Sequence, residues 1–138
     1  MNREARAYVD ELIEGVYQHY QLDDTVPLLI SGGSMGGFSS LLYTRYAKRK
    51  PKACIVNCPV CDMEYHYHER EDLPRSMLFS FRGYQEPLKM LFEEHSPICQ
   101  AENLPNIPYL FFSCNRGLAS KQSGAFRSNG SKNEKVRI

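Results

Sequence analysis

Apolar residues recur at Ala5, Tyr8, Val9, Leu12, Ile13, Val16, Tyr17 and Tyr20, the three-and-four spacing of a helix with one apolar stripe. The spacing predicts a helix over Glu4–Tyr20 whose stripe packs on a sheet. Asp23 and Asp24 then mark a turn, and the short apolar run Val26–Ser31 (VPLLIS) predicts a strand buried on both faces, with Pro27 confined to its start. After the glycine-rich stretch 32–37, helical spacing resumes over Phe38–Arg49 and stops at Pro51; the cluster Lys48, Arg49 and Lys50 suits a helix C-terminus. A second buried strand is expected at Lys52–Asn57 and a turn at Cys58-Pro59. The polar, aromatic stretch Asp62–Asp72 reads as a loop or lid, and short helices follow at Leu73–Arg82 and Gln85–Glu94. Tyr109–Ser113 (YLFFS) closes the series as a third strand. Strands alternating with helices are joined in parallel by crossovers, so the predicted class is α/β, with a three-stranded parallel sheet flanked by helices.

Composition narrows this picture without redirecting it. The chain has 138 residues, 42% apolar and 24% charged, which fits one globular domain and excludes collagen-like and wholly disordered chains. No apolar run approaches membrane-spanning length, and no membrane partner is expected. Charge is distributed unevenly: residues 115–138 hold six of the 17 basic residues and one of the 16 acidic ones. That stretch is rich in Ser, Gly, Asn and Lys without periodicity, and reads as a disordered basic tail behind a domain spanning residues 1–114. Its charge suits nucleic acid or an anionic membrane, but Phe126 is its one aromatic residue and no groove-reading motif accompanies it. A solvated tail and no nucleic-acid partner are therefore expected. The first residues are studded with Arg3, Glu4, Arg6, Asp10, Glu11 and Glu14, unlike a secretory leader, so the expected setting is cytoplasmic. Five cysteines, an odd count, then suggest reduced thiols.

The segment Gly32-Gly33-Ser34-Met35-Gly36 matches G-x-S-x-G between a predicted strand and a predicted helix, the setting of a nucleophile elbow. Such a turn holds Ser34 in a strained conformation and lifts its hydroxyl above the sheet. Gly32 and Gly36 would let neighbouring backbone approach. The Met35 N–H, at the start of the following helix, could donate to an oxyanion. The plain alternative is a glycine-rich turn with an exposed serine. A dinucleotide fingerprint is disfavoured because Ser34 replaces its middle glycine and no acid ends the next strand. A phosphate loop lacks its Gly-Lys-Ser/Thr.

On PLLISGGSMGGFSSLLY, KACIVNCPVCD and SPICQAENLPNIPYLFFSCN, residues 5–114 resemble α/β-hydrolases of the prolyl oligopeptidase type. The resemblance implies a partial α/β-hydrolase fold and a serine hydrolase, peptidase- or esterase-like, working through an acyl-enzyme. It also implies a small ester or peptide substrate, no cofactor, and a Ser, Asp, His triad in chain order. Here no Asp follows Asp72 and no His follows His95. The expectation is an incomplete domain with poor hydrolysis, through truncation or a reading-frame change, and the alternative is a non-catalytic remnant or self-associating interaction module.

His66 and His68 follow the second strand, on the edge where ligands bind in open α/β sheets, and are candidate substitute bases; the plainer reading is exposed histidines on a solvated loop. His95 reads as a surface or helix-capping residue, and His19 has no evident role. Cys54, Cys58 and Cys61 spell C-x3-C-x2-C, and Cys58, Cys61, His66 and His68 have zinc-ligand chemistry. Cys54 falls within a strand, however, and no second C-x-x-C supports a site, so buried free cysteine and no metal are expected. Cys99 and Cys114 show no spacing signal. With few strands, one edge would stay open along VPLLIS, which predicts a homo-oligomer.

Overall fold

The structure, a computed structural model, describes residues 1–69 and 71–112; Ser113 and the expected tail at 115–138 lie outside the described residues. In chain order the elements are α1 (Arg3–His19), β1 (Leu29–Gly33), α2 (Met35–Tyr46), β2 (Ala53–Asn57), α3 (Met63–Glu69), α4 (Pro74–Ser80), α5 (Leu88–His95), a 3-10 turn (Ala101–Asn103) and β3 (Tyr109–Phe112). The strands form one parallel sheet in the order β1-β2-β3, which is the small α/β arrangement that the alternation of patterns predicts. Among the described residues no helix is long and apolar enough to cross a membrane.

Each boundary has a local cause. Asn2 caps α1, its side chain accepting from the Ala5 N–H at 2.8 Å. β1 begins at Leu29 and not Val26, because Asp23 binds the Thr25 N–H at 2.8 Å through its side chain and the Val26 N–H at 3.2 Å through its carbonyl. That turn consumes the first residues of the apolar run. α2 starts directly after Ser34, earlier than Phe38, and gives way at Ala47, whose backbone is extended. Pro87, extended at ψ 143°, delays α5 to Leu88. The stretch expected as a loop over Asp62–Asp72 contains α3: the Asp62 side chain accepts from the Tyr65 N–H at 3.0 Å, the geometry of an N-cap.

Two apolar clusters meet at α2. Leu41 packs with Cys54, Val56 and Cys61 on the sheet side, while Phe38 and Leu42 join Val60, Met63, Met77 and Leu91 among the helices. Residues alternate along the strands, so the face carrying Cys54 and Val56 is covered and the opposite one is not. On that opposite face Leu29, Ile55, Leu110 and Phe112 are all exposed. The expectation of strands buried on both faces therefore fails for half of each strand.

The first helix forms where its periodicity places it but is rotated about its axis, with Ala5, Val9 and Ile13 of the stripe half-buried. Tyr8, Leu12, Val16 and Tyr20 lie exposed, whereas Arg6, Asp10 and Tyr17 are buried. The inward residues carry the docking contacts: the Tyr43 hydroxyl donates to Asp10 at 2.6 Å, and the Lys48 N–H donates to the same oxygen at 3.1 Å. The Arg6 guanidinium lies 3.8 Å from the centre of the Tyr46 ring.

Candidate active site

β1 and α2 are separated by Ser34 alone. Its backbone takes φ 51° and ψ −120°, a conformation that L-residues avoid and that stores about 1–3 kcal/mol when surroundings enforce it. Those surroundings come from the end of β2. The Ser34 N–H donates to the Asn57 carbonyl at 2.9 Å, and the Ser34 carbonyl accepts from Phe38 N–H at 3.1 Å and from Val60 N–H at 3.4 Å. Both backbone groups are thus satisfied while the side chain stays exposed. The hydroxyl does not cap α2, and no described residue hydrogen-bonds to it.

The glycines divide the steric work unevenly. A Cβ on Gly32 would lie 2.4 Å from the Gly36 carbonyl oxygen and 2.7 Å from Ser40 Oγ, so nothing larger than hydrogen fits there. A Cβ on Gly36 would meet nothing within 4 Å, which corrects the expectation that both motif glycines are needed for close approach. Gly36 supplies the backbone that Gly32 approaches, and its own α-hydrogens face open space. The second tight position is Gly37, where a Cβ would sit 2.9 Å from Pro59 Cβ. Met35 is exposed, and its N–H opens the helix with no carbonyl one turn back to bind it.

The structure brings Gly32, Ser34, Met35 and Gly36 together at one turn and leaves the histidines elsewhere. His66 lies on α3 with Nδ1 3.5 Å from the Glu69 carboxylate, and His68 meets the Tyr67 ring edge-on at 5.1 Å. Neither hydrogen-bonds to Ser34. His95 is only 2% exposed, which corrects its reading as a surface or capping residue: its Nδ1 lies 2.9 Å from the Leu91 carbonyl, and Phe81 and Tyr84 pack edge-on against the ring. Burial pushes its pKa down, favouring the neutral imidazole, and Nε2 has no hydrogen-bond partner among the described residues. His19 meets the Tyr20 ring edge-on at the end of α1.

The two buried thiols supply no competing nucleophile. Burial pushes Cys54 and Cys61 up to about 11, so both stay protonated at neutral pH. Cys54, Cys61 and Cys99 are free, but Cys58 is disulfide-bonded, against the expectation of reduced thiols throughout. Cys58 sits past the end of β2 at φ 44°, outside the core that encloses Cys54 and Cys61. No group of three metal-ligating side chains converges among the described residues.

Sequence reasoning missed Asn57 and Pro59, the residues that hold the elbow from behind. Their signal was indirect: a glycine run longer than the motif requires, with Gly37 left over to accommodate a neighbour. Beside the elbow, Ser31, Gly32, Ile55, Asn57 and Phe112 line an open recess of about 480 Å³ on the uncovered sheet face. No protein family, curated protein or solved structure matches the chain.

Proposed function

We propose that Ser34 is the nucleophile of an acyl-transfer site of the serine-hydrolase kind, carried on a partial α/β-hydrolase-type domain. One observation carries the reading: a non-glycine residue held at φ 51° and ψ −120° between a strand and a helix, with both backbone groups bonded and its hydroxyl exposed. Strain of this kind persists only where the surroundings enforce it, and it concentrates at functional positions. In the proposed reaction Ser34 Oγ bonds to the carbonyl carbon of a small ester or peptide while the Met35 N–H stabilises the oxyanion. The alcohol or amine leaves with a proton, and water then releases the acid from the acyl-serine. Ile55 and Phe112 offer an apolar wall to an acyl chain.

The proton on Ser34 Oγ has no hydrogen-bonded acceptor among the described residues, and a serine without its base is a weak nucleophile near neutral pH. The expected activity is covalent capture with slow turnover, far below the roughly 1–1000 per second of ordinary enzymes. A fluorophosphonate probe should label Ser34, and Ser34→Ala should abolish labelling. No labelling of folded protein would favour the second reading, a non-catalytic, self-associating module, to which the exposed apolar sheet face of Leu29, Ile55, Leu110 and Phe112 points. Ser34-dependent turnover at ordinary rates would overturn the claim of a missing base; His66→Ala would then test whether His66 supplies it.

A further inference from the structure

We infer that the free edge of β1 pairs with β1 of a second copy in one defined antiparallel register. Lys52 N–H donates to the Leu28 carbonyl and Ser34 N–H to the Asn57 carbonyl, so the even-numbered residues of this strand turn their backbone groups toward β2. Backbone direction alternates along a strand, which leaves the N–H and C=O groups of Leu29, Ser31 and Gly33 on the open side. All three residues are exposed. The edge lacks the usual protections: 29–33 contains no charge and no proline, and its register with β2 runs unbroken without a bulge.

The strand's own sequence favours a second copy of this chain as the occupant. A two-fold axis makes edge pairing antiparallel and sets the strand beside an identical one, where like charges would repel; this strand has none. The register that pairs every outward residue sets Ser31 against Ser31 and Leu29 against Gly33. Leu29 is 59% exposed and would lie beside a residue without a side chain, while hydroxyl meets hydroxyl at the axis. The apolar faces bearing Leu29, Ile55, Leu110 and Phe112 then continue from one copy into the next across a single six-stranded sheet.

Paired residues that exchange two hydrogen bonds lie about 5.5 Å apart at Cα, within disulfide reach. The test uses the full chain carrying Ser31→Cys with exposed Cys99 changed to Ser. Mild oxidation should give a covalent dimer on a non-reducing gel, whereas Leu110→Cys in the same background should stay monomeric. The unmodified protein should sediment at twice the chain mass, and Ser31→Pro, which removes an edge donor, should return it to the chain mass. If Ser31→Pro fails to fold, the crosslinking pair still decides. A folded Ser31→Cys variant that resists crosslinking, a Leu110→Cys variant that crosslinks in its place, monomeric mass at all concentrations, or another protein's strand on this edge would each overturn the inference. Ser34→Ala should leave the dimer unchanged, which separates this result from the catalytic reading.

Discussion

Helices α1 and α2 touch through Asp10 and Tyr43, yet they are built on opposite terms. α1 has the cleaner apolar stripe of the two and leaves Tyr8, Leu12, Val16 and Tyr20 in water, docking through Arg6, Asp10 and Tyr17. α2 has no clean stripe and is buried from Gly37 through Thr44 apart from Ser39, because the sheet takes one side and the α3–α5 helices another. A hydrophobic stripe shows that a helix has a preferred face, and it does not say what covers that face. A helix enclosed on several sides loses its stripe because almost every position must be apolar or small.

The largest test of this contrast lies at the root of α2. Gly32→Ala forces a Cβ against the Gly36 carbonyl and should destabilise the fold by more than about 3 kcal/mol, the upper end for overpacking. Gly36→Ala, with open space for its methyl, should be neutral or stabilising by roughly 0.5–1 kcal/mol through helix propensity. Denaturant unfolding of the two variants checks the pair. Next in size, Leu41→Ala should lose about 2–5 kcal/mol, whereas Leu12→Ala on α1 should stay within about 0.5 kcal/mol; equal losses would mean that the α1 stripe is covered in solution.

Tyr43→Phe tests the polar docking itself. It leaves the buried Asp10 carboxylate with the Lys48 N–H as its remaining hydrogen-bond donor among the described residues, and should cost about 1–3 kcal/mol by thermal or denaturant unfolding. The smallest effect is expected from acid. His95 has a folded pKa below its ordinary 6.5 because of burial, so the unfolded chain takes up the proton first. Stability should be constant from this group above 6.5 and should fall as pH drops from there to the folded pKa. A series of unfolding curves should show that slope reduced in His95→Gln, and an unchanged slope would assign it to other groups.

The order of strands and helices was readable because Pro51, Pro87 and the glycine run at 32–37 punctuate the chain and the apolar runs at β1, β2 and β3 are short. α3 was hidden because its cap, Asp62, precedes a polar segment without a periodic stripe. The orientation of α1 was hidden for a different reason: Asp10 and Arg6 look like surface residues until Tyr43, Lys48 and Tyr46 are brought beside them from elsewhere in the chain. At the elbow, Ser34 and Gly32 could be named from spacing, but Gly36 and Gly37 exchanged importance because only the folded chain sets Pro59 against Gly37. His95 ends a short helix in sequence, and nothing local shows that Phe81 and Tyr84 will enclose it.

The polar anchoring of α1 has a consequence for exchange of its amide protons with solvent. Arg49 bonds Glu14 at 3.1 Å and Asp24 at 2.6 Å, and Arg3 bonds Glu86 at 2.9 Å and Glu94 at 3.1 Å, each group being at least partly open to water. Exposed ion pairs contribute little and weaken with salt, so α1 should lift away at a free energy below that of global unfolding. Its amides should exchange through that local opening, faster at high ionic strength, while the Leu41 and Leu42 amides should wait for the whole domain to unfold.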